Sequence, residues 1–268
     1  MRNSSFRHDG HRLGYSDYRI GTRPVILLPG LLISRRMHDP IARSLTELGL
    51  RVITLDFLGH GTSDRPDDPS LYSTPMLGAQ VVALMDHLGI ERAVIGGTSL
   101  GANVSLEVAV AAPERVRGLV LEMPVLDNAL LAATVAFWPF AAGLRFGGPL
   151  ARLATGAARN LPRRGLPPYL QIALDTLSGD PGASAAALSG IFFGRIAPPQ
   201  EDRVKIKTRA LVIGHHRDPI HPFADADMLL EELPRARLVE ASHILEMRMS
   251  PERIGAELSG FVNECYRR

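Results

Sequence analysis

Short apolar runs recur along the chain and predict buried β-strands. They are apolar throughout rather than alternating with polar residues, which is typical of strands in a parallel sheet covered on both faces. Each run ends at a glycine or a polar loop. The runs are PVILLPG (24–30), RVITLDF (51–57), RAVIGGTS (92–99), RGLVLE (117–122), RALVIG (209–214) and ARLVE (236–240).

Helical patterns separate these runs. The segments 38–49 and 75–88 stop near Gly49 and Gly89, where glycine is a common C-terminal cap, and a third helix is predicted over 100–112, before Pro113. Strands that alternate with helices indicate an α/β fold with a mostly parallel central sheet and flanking helices. Ahead of them, Asp9-Gly10 predicts the turn of a β-hairpin.

The strand–helix rhythm stops over residues 124–205, which are rich in Ala, Leu, Gly and Pro. We therefore predict a core formed by 1–123 and 206–268, with 124–205 inserted as a helical cap. No strand-like run interrupts this segment, and its most apolar piece is DNALLAATVAFWPF (127–140).

Composition and charge narrow the possible roles. The 268 residues are 46% hydrophobic and 22% charged, with a net charge of +2 and no block of Lys and Arg, which speaks against nucleic-acid binding. The longest apolar run, 129–144, contains Pro139 and is shorter than the roughly 20 residues that span a bilayer, so no integral membrane segment is predicted. With no apolar leader and only Cys265, we expect a cytoplasmic protein.

The strongest chemical signal is Gly97-Thr98-Ser99-Leu100-Gly101, between a predicted strand and a predicted helix. A serine between spaced glycines at such a turn fits a nucleophile elbow. The small neighbours let strand and helix approach closely, and the hydroxyl projects at the N-terminus of the helix, where a developing anion is stabilised. The alternative is a glycine-rich turn whose serine caps a helix.

A serine nucleophile needs a general base, and the base needs an acid to orient it. The chain order in this architecture is Ser, then Asp or Glu, then His. Asp218 follows the strand 209–214, and His243 follows the strand 236–240. Both lie at the carboxyl ends of strands, the edge where such sheets place their sites.

Four blocks in this order carry a resemblance to the capped esterase, lipase and C–C hydrolase type of α/β-hydrolases, over nearly the whole chain. They are LLPGLL (27–32), LDFLGHGTSD (55–64), GGTSLGAN (96–103) and GHHRDPIHP…ASH (214–243). The resemblance implies Ser99 as nucleophile, Asp218 as acid and His243 as base. It also implies an oxyanion hole formed by the backbone N–H groups of Leu31 and Leu100.

The chain departs from the family pattern at Pro29-Gly30, where His-Gly is usual. The backbone N–H donor at Leu31 does not depend on that histidine. The hydrogen bonds with which the histidine would support the loop are lost. Glu122, after the strand 117–122, is an alternative acid because some family members carry the acid there. His60, in a turn between two glycines, is predicted to be structural.

The loop LVIGHHRDPIHP (211–222) also suggests a metal site, since it holds three imidazoles and a carboxylate. Its H-H-x-D-x-x-H spacing matches no established zinc pattern, so no metal or other cofactor is predicted. Asp218 is accounted for as the acid. His215, His216 and His221 remain as loop residues that could line the rim of a pocket.

Aromatic residues in the cap segment form the expected substrate pocket, with packing in the cap core as the alternative. They are Phe137, Trp138, Phe140, Phe192 and Phe193. The resulting expectation is a serine hydrolase that cleaves a carboxylic ester of a small, largely apolar molecule. A lactonase, thioesterase or C–C hydrolase is an alternative, and so is a cofactor-free perhydrolase related to haloperoxidases. A receptor on a hydrolase fold is the non-enzymatic alternative.

Overall fold

The structure, a computed structural model, describes residues 1–129, 142–143, 147–162, 165–218 and 220–267. The six apolar runs form strands of one sheet, as predicted, and the predicted hairpin adds two more to give eight strands. Its strands are β1 (Arg2–His8), β2 (His11–Asp17), β3 (Pro24–Leu28), β4 (Arg51–Leu55), β5 (Ala93–Thr98), β6 (Val116–Glu122), β7 (Ala210–Gly214) and β8 (Ala236–Glu240).

The strand order is β1-β2-β4-β3-β5-β6-β7-β8. The first two strands pair antiparallel, β2 pairs antiparallel with β4, and every later pairing is parallel. Asp9 and Gly10 both adopt positive φ, at 47° and 81°, which suits the tight turn of the β1–β2 hairpin. The mostly parallel α/β sheet and the hairpin are thus confirmed.

Helices cover both faces of the sheet. The described helices are α1 (Asp39–Glu47), α2 (Thr74–His87), α3 (Leu100–Ala111), α4 (Gly148–Asn160), α5 (Pro168–Leu177), α6 (Pro181–Phe192), α7 (Gln200–Arg203), α8 (Phe223–Glu232), α9 (Glu246–Met249) and α10 (Glu252–Tyr266).

The core divides into two layers because successive side chains of a strand point to opposite faces. In β3, Ile26 and Leu28 join the apolar cluster that contains α2, α3 and α8 residues. Val25 and Leu27 join the cluster on the other face, with residues of α1 and α10. Burial on both faces explains why the strands are apolar throughout.

The described part of residues 124–205 contains α4 to α7 and no strand. Contacts tie it to the rest of the chain at several points. The Arg195 guanidinium pairs with the buried Glu107 of α3 at 2.8 Å, and Arg36 lies 3.4 Å from Asp175 of α5. Within the described ranges, no helix is both long and apolar enough to cross a bilayer.

The loops that carry the candidate site residues lie at one edge of the sheet, at the carboxyl ends of the parallel strands. Ser99 directly follows β5, Glu122 ends β6, Asp218 lies four residues beyond β7, and His243 lies three residues beyond β8. Doubly wound sheets bind their ligands at this edge, so a functional site is expected here.

Candidate active site

Ser99 occupies a strained turn between β5 and α3. Its φ and ψ are 54° and −114°, outside the regions that a non-glycine residue normally adopts. The backbone comes so close to the Leu28 carbonyl oxygen that a Cβ atom at Gly97 or Gly101 would collide with it. The Ser99 N–H donates to the Glu122 carbonyl at 2.9 Å, which ties the turn to β6. The glycines of the motif are thus required by geometry.

The Ser99 hydroxyl is hydrogen-bonded to a histidine of the loop after β7. Its Oγ lies 3.1 Å from Nε2 of His221, and Nδ1 of the same ring lies 2.8 Å from Oδ2 of Asp218. Because a carboxylate only accepts, Nδ1 carries a proton and Nε2 is left to accept the hydroxyl proton. Ser99, His221 and Asp218 therefore form a continuous hydrogen-bonded relay.

The surroundings of Asp218 favour the ionised form of its carboxyl group. Burial alone would raise the pKa of its carboxyl group, but hydrogen bonds from the His221 ring and from the N–H groups of Ile220 and His221 hold the pKa below its usual value. Those two N–H groups donate to Oδ1 at 2.8 and 3.0 Å and close an Asx turn. The turn brings the side chain three residues downstream back to the carboxylate.

His243, the base predicted from chain order, is not brought to Ser99. It is exposed, and its Nδ1 accepts the N–H of Leu245 at 3.3 Å. The loop after β8 is closed on itself, because the buried Glu246 carboxylate accepts the Ser242 N–H and pairs with Arg253 at 2.8 Å. The structure brings His221 to Ser99 instead.

Glu122, the alternative acid, lies beneath the elbow. Its side chain is 2% exposed and is occupied by an ion pair with Arg248 and a hydrogen bond from Thr98. Arg248 also donates to Oγ1 of Thr98 at 2.5 Å. Among the described residues, neither His221 nor His243 contacts this carboxylate. Glu122 therefore acts as a support for the turn in this arrangement.

The loop that carries Leu31 has a support that the sequence did not predict. The N–H of Leu32, whose φ is 61°, donates to Nε2 of His60 at 2.9 Å, and His60 Nδ1 donates to the Leu58 carbonyl at 2.9 Å. Burial lowers the pKa of His60 to about 4, so the ring is neutral at ordinary pH and its Nε2 can accept. His60 thus holds the loop next to Pro29-Gly30.

The two backbone N–H groups predicted to bind an oxyanion belong to Leu100, after the elbow, and to Leu31, after β3. Leu100 is the first residue of α3, and Leu31 lies in the turn closed by the Ile33 N–H on the Gly30 carbonyl at 3.1 Å. Within the described ranges, no protein acceptor is recorded for either N–H. Both donors are therefore available to a ligand.

A buried carboxylate links the relay loop to the start of the 124–205 segment. Asp225, at the first turn of α8, is fully buried and accepts the N–H groups of Leu126, Asn128 and Ala129 at 2.7 to 3.1 Å. The chain enters α8 directly from the loop that carries His221. The start of the 124–205 segment and the relay loop are therefore both anchored at the amino end of α8.

The expected pocket aromatics are placed only in part. Phe137, Trp138 and Phe140 lie outside the described residues. Phe192 packs against the buried Val125 and Ala129, whereas Phe193 is 79% exposed. Phe192 therefore belongs to the packing of the helical segment, and Phe193 faces solvent.

The remaining histidines of the relay loop show no metal site. His216 is exposed and stacks on Phe223 with ring centroids 3.6 Å apart, and His215 accepts the N–H of Arg217 at 3.2 Å. In the part of the chain that the structure describes, no group of three His, Cys, Asp or Glu side chains could hold a metal ion.

Comparison with known proteins identifies the family to which the sequence is similar. Residues 23–166 match the family described as "alpha/beta hydrolase fold". The chain is 30% identical over 200 residues to 3-oxoadipate enol-lactonase 2 from Acinetobacter baylyi, covering 72% of each protein. It is 44% identical over 71 residues to 2-hydroxymuconate semialdehyde hydrolase from Pseudomonas putida, covering 26% of this chain and 25% of that one.

Solved structures give a longer match. The enol-lactonase from Burkholderia xenovorans superposes with a TM-score of 0.77 at 23% identity, covering 97% of this chain and 100% of the other. Several sequence relatives are matched over 40% or less of their own length. The likeness to this solved structure is one of fold, whereas the sequence relatives cover between about a quarter and nine tenths of the chain.

Proposed function

Because this chain belongs to the α/β-hydrolase family, whose named relatives include hydrolases of several kinds, we propose that it is a serine hydrolase. Its preferred bond is a carboxylic ester of a small, largely apolar molecule, including the internal ester of a lactone. The single observation that carries the proposal is the hydrogen-bonded relay from Ser99 through His221 to Asp218. A hydroxyl in such a relay is activated toward carbonyl carbon.

In the first half of the reaction, Ser99 Oγ attacks the carbonyl carbon while its proton moves to Nε2 of His221. Asp218 accepts the Nδ1–H and stabilises the imidazolium that forms. The carbonyl oxygen becomes an oxyanion bound by the N–H groups of Leu31 and Leu100. When the tetrahedral intermediate collapses, the C–O bond to the leaving group breaks, and His221 returns the proton to the departing alkoxide.

In the second half, water attacks the acyl-enzyme and gives a proton to His221. A second tetrahedral intermediate collapses, the bond to Ser99 Oγ breaks, and the proton returns to the serine. The carboxylic acid leaves. These steps use protein groups and water only.

The choice of bond follows from the chemistry and from the relatives. An ester or lactone needs only the relay and two oxyanion donors, and two relatives are named as enol-lactonases. The match to a 2-hydroxymuconate semialdehyde hydrolase makes C–C bond cleavage a second candidate on the same residues.

The proposal is tested with a fluorophosphonate probe and a panel of aryl esters, lactones, thioesters and a vinylogous diketone. We expect covalent labelling at Ser99, located by mass spectrometry, and fastest turnover of an ester or lactone. Turnover that appears only with added peroxide would favour the perhydrolase, and absent labelling with tight ligand binding would favour the receptor.

Asp218→Asn is expected to lower kcat by about 10⁴-fold, because the asparagine no longer favours the histidine tautomer that accepts the serine proton. The measurement is the steady-state rate per folded enzyme. Glu122→Gln is the companion variant, and it should chiefly lower stability, since it leaves the buried Arg248 without its charge partner. If kcat instead fell by this factor in Glu122→Gln and changed little in Asp218→Asn, the acid would be Glu122.

His60→Ala is expected to lower kcat by about 10- to 100-fold with a smaller change in KM. The alanine removes the acceptor of the Leu32 N–H, so the neighbouring Leu31 donor is less well placed for the oxyanion, which forms only during the reaction. His60→Gln, whose side-chain oxygen can accept the same N–H, should recover part of the rate. Equal loss in both variants, or a change in KM alone, would rule out this positioning role.

A further inference from the structure

Arginines stand at the amino ends of four adjacent parallel strands, on the edge opposite the relay. Arg92, Arg209 and Arg235 directly precede β5, β7 and β8, and Arg117 is the second residue of β6. These strands are neighbours in the order β5-β6-β7-β8. The sheet therefore gathers four guanidinium groups along one edge.

A cleft of about 590 Å³ opens at this edge. Lys205, Lys207 and Arg267 join the four arginines in its wall, and the acidic lining residues are Asp202 and Glu264. The chain as a whole carries only +2. Positive charge is thus concentrated here far beyond the average of the protein, and like charges in a cleft raise the local potential.

Each of the two carboxylates has an ion-pair partner, within the cleft wall for Asp202 and outside it for Glu264. Asp202 lies 3.0 Å from Lys205, and Glu264 lies 3.4 Å from Arg237, which is outside the cleft lining. Among the described residues, no carboxylate is recorded within ion-pair distance of Arg209 or Arg235. These guanidinium groups are therefore free to bind an external anion.

Arg117 gives the cleft a fixed point. Its guanidinium lies 4.7 Å from the centroid of the Tyr266 ring, and its Nε is buried without a hydrogen-bond partner among the described residues. The contact with the Tyr266 ring orients this guanidinium group in the wall of the cleft.

From these observations we propose that the cleft at the amino ends of β5 to β8 binds the oligophosphate group of a small molecule. Planar guanidinium groups match phosphate oxygens with two parallel hydrogen bonds, and several phosphates are needed to engage arginines on four strands. None of the described residues in the lining is aromatic, whereas proteins that hold single-stranded nucleic acid stack its bases on aromatic rings. A compact phosphate chain therefore fits this cleft better than nucleic acid does.

Location separates this site from the catalytic one. Arg92 precedes the first residue of β5, and Ser99 follows the last, so the two sites lie at opposite ends of the same strand. An oligophosphate in the cleft is not expected to compete with substrate at Ser99.

The test is isothermal titration calorimetry of the full chain with sodium triphosphate. Sulfate, which carries a single tetrahedral group, is the reference anion. We expect saturable triphosphate binding that weakens as NaCl rises from 50 to 200 mM. Arg209→Gln/Arg235→Gln should weaken it at least about tenfold, since two guanidinium–phosphate contacts are lost. Both side chains are exposed, so unfolding curves without ligand should match the wild type.

Arg2→Gln/Arg7→Gln is the charge-matched control, because both residues are exposed on β1, outside the cleft. It should bind triphosphate as the wild type does. The Ser99→Ala variant should also bind normally, which keeps this proposal separate from the proposed hydrolase function. Absence of saturable binding, equal weakening in the control, or competition between triphosphate and substrate would each overturn the proposal.

Discussion

Replacing Ser99 by alanine is expected to reduce kcat for the best substrate of the panel by about 10⁶-fold, to a residual rate set by binding and the oxyanion donors. In the proposed mechanism Oγ is the atom that forms the acyl-enzyme, and no other described hydroxyl contacts the His221–Asp218 pair. Labelling by the fluorophosphonate probe should vanish together with turnover. Rates are compared at equal folded protein, measured by circular dichroism.

Ser105→Ala is the matched control. This serine lies in α3 below the elbow, and its hydroxyl donates to the Gly101 carbonyl at 2.7 Å. Its loss should leave turnover and labelling close to the wild type. Retention of full activity by Ser99→Ala would show that the serine mechanism is wrong, whatever residue serves as base.

Much of the fold could be predicted from the sequence because its signals are local. Strands buried on both faces must be apolar throughout, and the six predicted runs match β3 to β8. The elbow was predictable for the same reason. Its glycines flank Ser99 directly in the chain, although the Leu28 carbonyl for which they leave room belongs to β3.

The partner of Ser99 could not be predicted in this way. Chain order selects a histidine after the acid, and both His221 and His243 satisfy that condition. The difference between them depends on where each loop turns. The loop after β8 is closed by the pairing of Glu246 with Arg253, seven residues further along the chain, and no motif in the sequence marks this pair.

A local signal for His221 nevertheless exists. In Asp218-x-x-His221, an aspartate that accepts the N–H groups two and three residues ahead forms an Asx turn, which returns the third side chain to the carboxylate. Chain order alone predicts an acid at Asp218 followed by residues of a pocket rim. The structure shows that the same short segment holds acid and histidine together.

The support of the oxyanion loop was missed for a different reason. His60 is 28 residues from Leu32 in the chain, and its contact depends on how the loops after β3 and β4 pack together. Pro29-Gly30 indicated that the usual histidine support is missing but gave no indication of what replaces it. Buried polar groups are paired by tertiary structure, so such partners become visible only in the fold.

Acid and histidine on one loop have a mechanical consequence. In the usual chain order they come from two loops, whereas here Asp218 and His221 are held by one turn that leads directly into α8. Asp225 in the first turn of that helix also fixes the chain at Leu126 and Ala129. The position of the relay is therefore coupled to the entrance of the helical segment.

His221→Ala is expected to lower kcat by about 10⁴- to 10⁶-fold, whereas His243→Ala should remain within a few-fold of the wild type. The first variant leaves the Ser99 hydroxyl without an acceptor for its proton. The second removes an exposed ring that contacts only its own loop among the described residues. Both are measured as kcat and KM on the same ester, with folding checked by thermal unfolding.

Chemical rescue sharpens the comparison. Because truncation at position 221 leaves space beside Asp218, added imidazole should restore part of the activity of His221→Ala in a saturable manner. The same addition should leave Ser99→Ala inactive, since that variant lacks the nucleophile rather than the base. If His243→Ala instead lost activity and His221→Ala kept it, the base would be His243, and the loop after β8 would have to open toward Ser99 during the reaction. That outcome would be compatible with the serine mechanism. The hydrogen bonds from Ser99 to His221 and Asp218 would then belong to the free enzyme and would not take part in the reaction.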